Sequence, residues 1–169
     1  MVAALHRQLD FNLAFSEMLV SDLSEEQMTT IPFPGFENHP SFTLGHLVTG
    51  TALMMEDLGG ALLIPVGWSE LFLRHGPGDP RLPESDKRLY PKKEILLNEL
   101  RNQHEELKKI ISSYDMNQFD ESIKWRFSVY MPTVLDLTLF MCVNHEAMHL
   151  GQLSAWRRAM KLPSALALL

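Results

Sequence analysis

The sequence predicts an all-α fold: a four-helix bundle with long crossover connections. Apolar residues recur at helical spacing in four long stretches, and clusters of proline and glycine separate those stretches. The one segment that could run extended, Phe127 to Tyr130, is too short to build a sheet from. With 169 residues, 46% of them hydrophobic, the chain has material for one full core, so residues 1–169 are expected to form a single domain.

The first helix is expected from about Val2 to Leu23, with Leu5, Leu9 and Leu13 followed by Phe15, Met18 or Leu19 on its inner side. Pro32, Pro34, Gly35 and Pro40 break the chain. Ser41 is then the expected N-cap of a second helix carrying Leu44, Leu47, Leu53 and Met54, which stops at Gly59-Gly60. From Gly60 to Pro91 the chain is rich in proline and glycine, with room for one short helix near Trp68 to Arg74. A connection of that length is often functional, and it lets the helices on either side of it run parallel.

Pro91 suits the first turn of a third helix reaching about Tyr114, with Ile95, Leu96, Leu100, His104, Leu107 and Ile111 on one side. An irregular stretch, Asp115 to Met131, contains Trp125, Phe127 and Tyr130. Pro132-Thr133 opens the last helix, which extends to about Lys161 and is stopped by Pro163. Its expected inward stripe is Leu135, Thr138, Cys142, His145, His149, Gln152 and Trp156.

Charge and composition exclude several classes of function. Lys plus Arg number 15 against 21 Asp plus Glu, for a net charge of −6, and the basic residues are scattered, which argues against nucleic acid as a partner. Lys92-Lys93 and Arg157-Arg158 read as solvated helix faces. A single cysteine, Cys142, fits a reducing cytoplasm and rules out both an intrachain disulfide and a cysteine-based zinc site. His6, Arg7 and Asp10 stand where a signal peptide would need an apolar run, and Val134 to Val143 is too short to span a bilayer, so a cytoplasmic protein without a membrane partner is expected. The apolar tail Pro163 to Leu169 is expected to pack on the body or on a second subunit of a homodimer.

The most informative motif lies in the last helix. In Asn144-His145-Glu146-Ala147-Met148-His149, two histidines stand four residues apart, so both rings return to nearly the same helix face and can grip one metal ion. The pattern His-Glu-x-x-His also occurs in zinc proteases, where the glutamate is a general base. Those enzymes take a third ligand from downstream, but Leu150 to Leu169 contains no Asp, Glu, His or Cys. A third ligand must therefore come from upstream, and His46 is the best candidate, with small neighbours that leave room for a ligand.

The remaining candidates weigh less. His104, mid-helix, is a reserve ligand, whereas His6, His39 and His75 read as surface residues. Cys142 reads as a buried core residue, although a thiolate there would bind metal strongly. Glu146, about 100° around the helix from His145, is expected to lean toward solvent, with a catalytic base role as the alternative. Gln152 is a candidate catalytic-site residue, supporting a ligand or touching substrate, with the satisfaction of a buried backbone group as an equal alternative. Met54, Met55, Met141 and Met148 suit soft core packing, while Trp68, Trp125 and Trp156 are large enough to wall a pocket.

Three neutral imidazoles leave a divalent ion its full charge and an open position. Such a centre lowers the pKa of bound water to about 7 or holds a thiol as thiolate. Zinc and nickel fit this ligand set, and iron, manganese or cobalt would accept it.

The order of motifs resembles the DinB/YfiT-like family of metal-dependent helical bundle proteins. The matching residues are the Gly45-His46-Leu47 of the second helix, Tyr90-Pro91 before the third, and His145, His149, Gly151 and Gln152 in the last. The resemblance implies a transferase that uses its metal to activate a low-molecular-weight thiol such as bacillithiol or mycothiol, with a small-molecule substrate. Two other readings stay open. One is a metal-dependent hydrolase with Glu146 as base, for which Glu146→Gln abolishes turnover while metal stays bound. The other is a non-catalytic bundle that binds metal or a partner.

Overall fold

In the computed structural model, which describes residues 1–74, 79 and 81–168, the chain is helical, and the described residues hold no strand beyond one isolated bridge between Ser122 and Thr133. His75 lies outside the described residues. No helix of the described residues is long and apolar enough to cross a membrane.

Helix α1 spans Val2–Val20 and ends a turn earlier than its apolar pattern suggests. A single helical turn, α2 (Glu25–Met28), follows because Ser24 and Gln27 form a reciprocal capping box that restarts the backbone. Helix α3 (Pro40–Asp57) is capped by His39, whose Nδ1 accepts from the Phe42 amide at 3.2 Å; Ser41, the expected cap, is a buried residue inside the helix. His39 is thus no surface residue, and burial lowers its pKa to about 4.

The crossover carries α4 (Trp68–Phe72), where a short helix was expected. Helix α5 (Lys93–Ser113) follows, burying Leu96, Leu97, Leu100, Gln103, His104, Leu107 and Ile111, whereas Ile95 is exposed. A one-turn α6 (Met116–Phe119) and a run of turns precede α7 (Val134–Leu139), so Phe127 to Tyr130 is not extended. The last helix is not uniform. Between α7 and α8 (Glu146–Ala159), residues Phe140–His145 form a π-helical segment.

Two hydrophobic clusters show how the long helices run. Leu19, Val20, Phe42, Leu44, Leu96, Leu100, Leu153 and Trp156 meet at one end, and Leu5, Leu9, Met54, Met55, Leu107, Ile111 and Leu137 at the other. Helices α3 and α5 therefore run parallel to each other and antiparallel to α1 and the α7–α8 rod, as the long crossover permits. Helix α1 packs on α5 and α8, and α3 packs on the same two.

Two basic residues expected on solvated faces instead close the C-terminal end of α1. Lys93 Nζ donates to the carbonyls of Val20 and Leu23 at 3.2 and 2.7 Å. Arg157, only 2% exposed, donates to the Leu19 carbonyl at 2.9 Å and forks onto Asp22. The last carbonyls of a helix lack intrahelical donors, so these cations satisfy the bonds and oppose the negative end of the helix dipole. The C-terminal tail packs on the body through buried Ala165.

Candidate metal centre

His46 on α3, His145 at the end of the π segment and His149 on α8 converge. One ligand nitrogen from each lies within 4.8 Å of the others. Ring centroids are 5.4 Å apart for His46 and His145 and 4.6 Å for each pair with His149. Two nitrogens on a tetrahedral ion sit about 3.3 Å apart, from bond lengths of about 2.0 Å, so small side-chain rotations close the difference.

The rings are presented in usable tautomers. His46 Nδ1 lies 2.9 Å from the Phe72 carbonyl and donates to it, so the proton stays on Nδ1 and Nε2 offers its lone pair. His149 Nδ1 makes the same kind of bond to Gln152 Oε1 at 2.8 Å. His145 forms no hydrogen bond among the described residues and keeps its donors for the centre. Burial lowers all three proton affinities, to about 3 for His145 and about 4 for His149, and neighbouring imidazoles add to the effect at those two. Neutral imidazoles are the form a metal needs.

Local sequence explains the placement. A Cβ on Gly50 would meet the His145 ring at 3.1 Å, so glycine there makes room for that histidine. The small residue beside His46 has a different use from the one expected. The space at Gly45 is filled by the Phe72 ring, which brings the Phe72 carbonyl to His46 rather than leaving room for a ligand.

At the junction of the π segment and α8, the residue after His145 faces away from the three histidines. Glu146, expected to lean toward solvent, is 2% exposed and points into the bundle. Its carboxylate accepts from Asn12 Nδ2 at 2.8 Å and from His104 Nε2 at 2.8 Å. Asn12 Nδ2 also reaches the Cys142 carbonyl, inside the π segment, at 3.0 Å. His104 therefore belongs to the core network rather than to the three-histidine group. Cys142 is a buried core residue, and burial, with nearby Glu146, pushes its thiol well above the usual range. Sequence reasoning missed Asn12 altogether; its only signal was a polar residue amid the apolar pattern of α1.

The three histidines open into a pocket of about 450 Å³ walled by Leu53, Leu73, Trp125, Phe127, Phe140 and Met148. Trp125, Phe127 and Phe140 pack against one another at 5.3–5.6 Å between centroids, and the Trp125 indole donates to the Met131 carbonyl at 2.6 Å. Of the three tryptophans, Trp125 walls this pocket, while Trp68 and Trp156 are in the core.

A four-helix bundle with inward histidines from two helices is an architecture whose core could hold a metal ion between facing helices. The chain belongs to the DinB superfamily, whose model matches residues 8–153. Its fold is similar to the crystal structure of a conserved protein from Enterococcus faecalis, at 18% identity and a TM-score of 0.74, over 94% of this chain and 96% of that one. No curated protein matches the chain.

Proposed function

We propose that the chain is a metal-dependent enzyme that activates a low-molecular-weight thiol for transfer to a small electrophile. The observation that carries the reading is the convergence of three neutral imidazoles, two with their Nδ1 protons already engaged, at the inner end of a largely apolar pocket. A divalent ion bound there supplies positive charge that favours a thiolate near neutral pH. His46, His145 and His149 hold the ion, zinc or nickel by preference. Gln152 and the Phe72 carbonyl orient two of the rings, and the Trp125-Phe127-Phe140 wall excludes water from the reacting sulfur.

The geometry disfavours the hydrolase alternative. Both carboxylate oxygens of Glu146 are taken by Asn12 and His104, in the bundle core rather than at the histidines. Glu146 is a positioning residue in this reading, acting on His145 through the helix they share.

Elemental mass spectrometry on the untagged protein tests the reading, beside His46→Ala and the double change His145→Ala with His149→Ala. The parent is expected to carry close to one transition-metal ion per chain, and both variants to lose it, with thiol consumption only in the metal-loaded parent. A parent that stays empty after incubation with zinc, nickel and manganese would leave the non-catalytic bundle as the function.

A further inference from the structure

The pocket beside the histidines carries two arginines that the proposed chemistry does not use. Arg74 follows α4 and lines both the main pocket and a smaller opening of about 110 Å³; the two share His46 and His149. Its guanidinium lies 4.3 Å from the centroid of the Phe42 ring. Phe42 in turn stacks on His46, at 5.9 Å and 8°. Arg126 comes from the other wall, between Trp125 and Phe127, with its guanidinium 5.3 Å from the Phe127 centroid.

Neither arginine forms an ion pair with a carboxylate among the described residues, whereas Arg81, Arg88, Arg101 and Arg157 pair with Asp79, Asp86, Glu17 and Asp22. The opposing groups are few. Asp57 is the carboxylate lining the main pocket, and burial raises its pKa. Glu37 and Asp79 line the smaller opening, where Arg81 already forks onto Asp79.

We propose that Arg74 and Arg126 form an anion-recognition subsite, and that the pocket takes a small amphipathic ligand with an apolar body and a carboxylate. The proposal deepens the metal-enzyme reading and rests on it for the purpose of the pocket. In the main pocket two guanidiniums stand against Asp57, and Glu37 faces Arg74 from the smaller opening; the excess positive charge at Arg126 suits a monoanion, and planar guanidiniums match a carboxylate well. The apolar wall of Leu53, Leu73, Trp125, Phe127, Phe140 and Met148 suits a hydrocarbon or aromatic body and offers little to a sugar or a polyphosphate.

Isothermal titration with 3-phenylpropanoate and 3-phenylpropanol tests the subsite, since the two share a body and differ in the charged group. Both are titrated into metal-free and zinc-loaded parent, Arg74→Gln, Arg126→Gln and the double variant. The carboxylate is expected to bind about tenfold more tightly than the alcohol even in metal-free parent, and each substitution to cut that preference about fivefold while alcohol affinity stays level. Arg126 is exposed, so its substitution leaves the fold intact. Equal binding of the two ligands to metal-free parent, no binding of either, or a preference that survives the double substitution would each overturn the subsite. A preference in a chain that takes up no metal would keep the subsite and remove the metal reading.

Discussion

Within one turn of the last helix, the chain treats ionisable residues in two opposite ways. His145 and His149 face a pocket, with nitrogen lone pairs left uncommitted. Glu146, between them in sequence, faces the core with both oxygens bonded to Asn12 and His104. The pocket side keeps polar atoms available at a cost in stability, and the core side engages both carboxylate oxygens of Glu146, leaving His104 Nδ1 as its unpaired atom. A group of histidines with uncommitted lone pairs and a hydrogen-bonded core network therefore share a helix, and mutation should separate them.

The largest expected effect lies on the core side. Glu146→Ala leaves one Asn12 N–H and the His104 Nε2–H without acceptors in the buried core, at a cost of about 1–3 kcal/mol for each. Urea denaturation of the metal-free protein measures it. His145→Ala in the same assay should change stability by less than about 1 kcal/mol, because that ring has no hydrogen bond to lose. If the two variants were equally destabilised, the division between the sides would fail.

The pocket side should instead show itself through pH. His145 and His149 have folded pKa values of about 3 and about 4 against 6.5 for an ordinary histidine, and His46 is lowered in the same direction. Below pH 6.5 the unfolded chain takes up protons that the folded chain refuses, so the stability of the metal-free protein is fully present above pH 6.5. It falls as pH drops toward the folded values. The slope is at most about 1.4 kcal/mol per pH unit for each fully titrating histidine, and mutual repulsion spreads the steps. Urea midpoints at pH 7, 6 and 5 should decline in the parent and flatten when all three histidines become Gln. His39, with a folded pKa of about 4, remains and leaves a residual slope.

Much of this arrangement could be read in advance. The four long helices, the crossover, the His145–His149 pair and the upstream His46 all follow from periodicity, from proline and glycine placement, and from the absence of a downstream ligand. What escaped depends on contacts between distant segments. A π segment leaves no periodic trace distinct from an α-helix, and the burial of Glu146 at its end depends on partners that the local pattern does not show. The partners that hold Glu146 stand 134 and 42 residues away on α1 and α5. Lys93 and Arg157 looked like surface charge because nothing local indicates that the carbonyl end of α1 reaches them.

Asn12 joins the two sides, since its amide bonds both Glu146 and the Cys142 carbonyl within the π segment. Asn12→Ala should cost about 1–3 kcal/mol, by leaving a buried carbonyl and a carboxylate oxygen unpaired. It should also weaken metal binding about tenfold, by loosening the segment that ends in His145. Both readouts are needed: a stability loss with unchanged metal affinity would mean that the π segment holds its shape without Asn12.

The smallest effect belongs to Gln152, and it tests the pocket side alone. Gln152 is exposed, and among the described residues its side chain makes a single hydrogen bond, accepting the His149 Nδ1 proton. Gln152→Ala therefore removes no core contact and should leave the urea midpoint within about 0.5 kcal/mol of the parent. It frees the His149 ring to rotate and to exchange tautomers, and loss of such an orienting partner typically lowers metal affinity about tenfold. Competition against a chromophoric chelator reads that change directly, and Gln152→Glu should restore affinity because a carboxylate accepts the same proton more strongly. If Gln152→Ala left affinity unchanged, the orientation of His149 would be set by packing between α3 and α8 alone, and Gln152 would be released for contact with substrate.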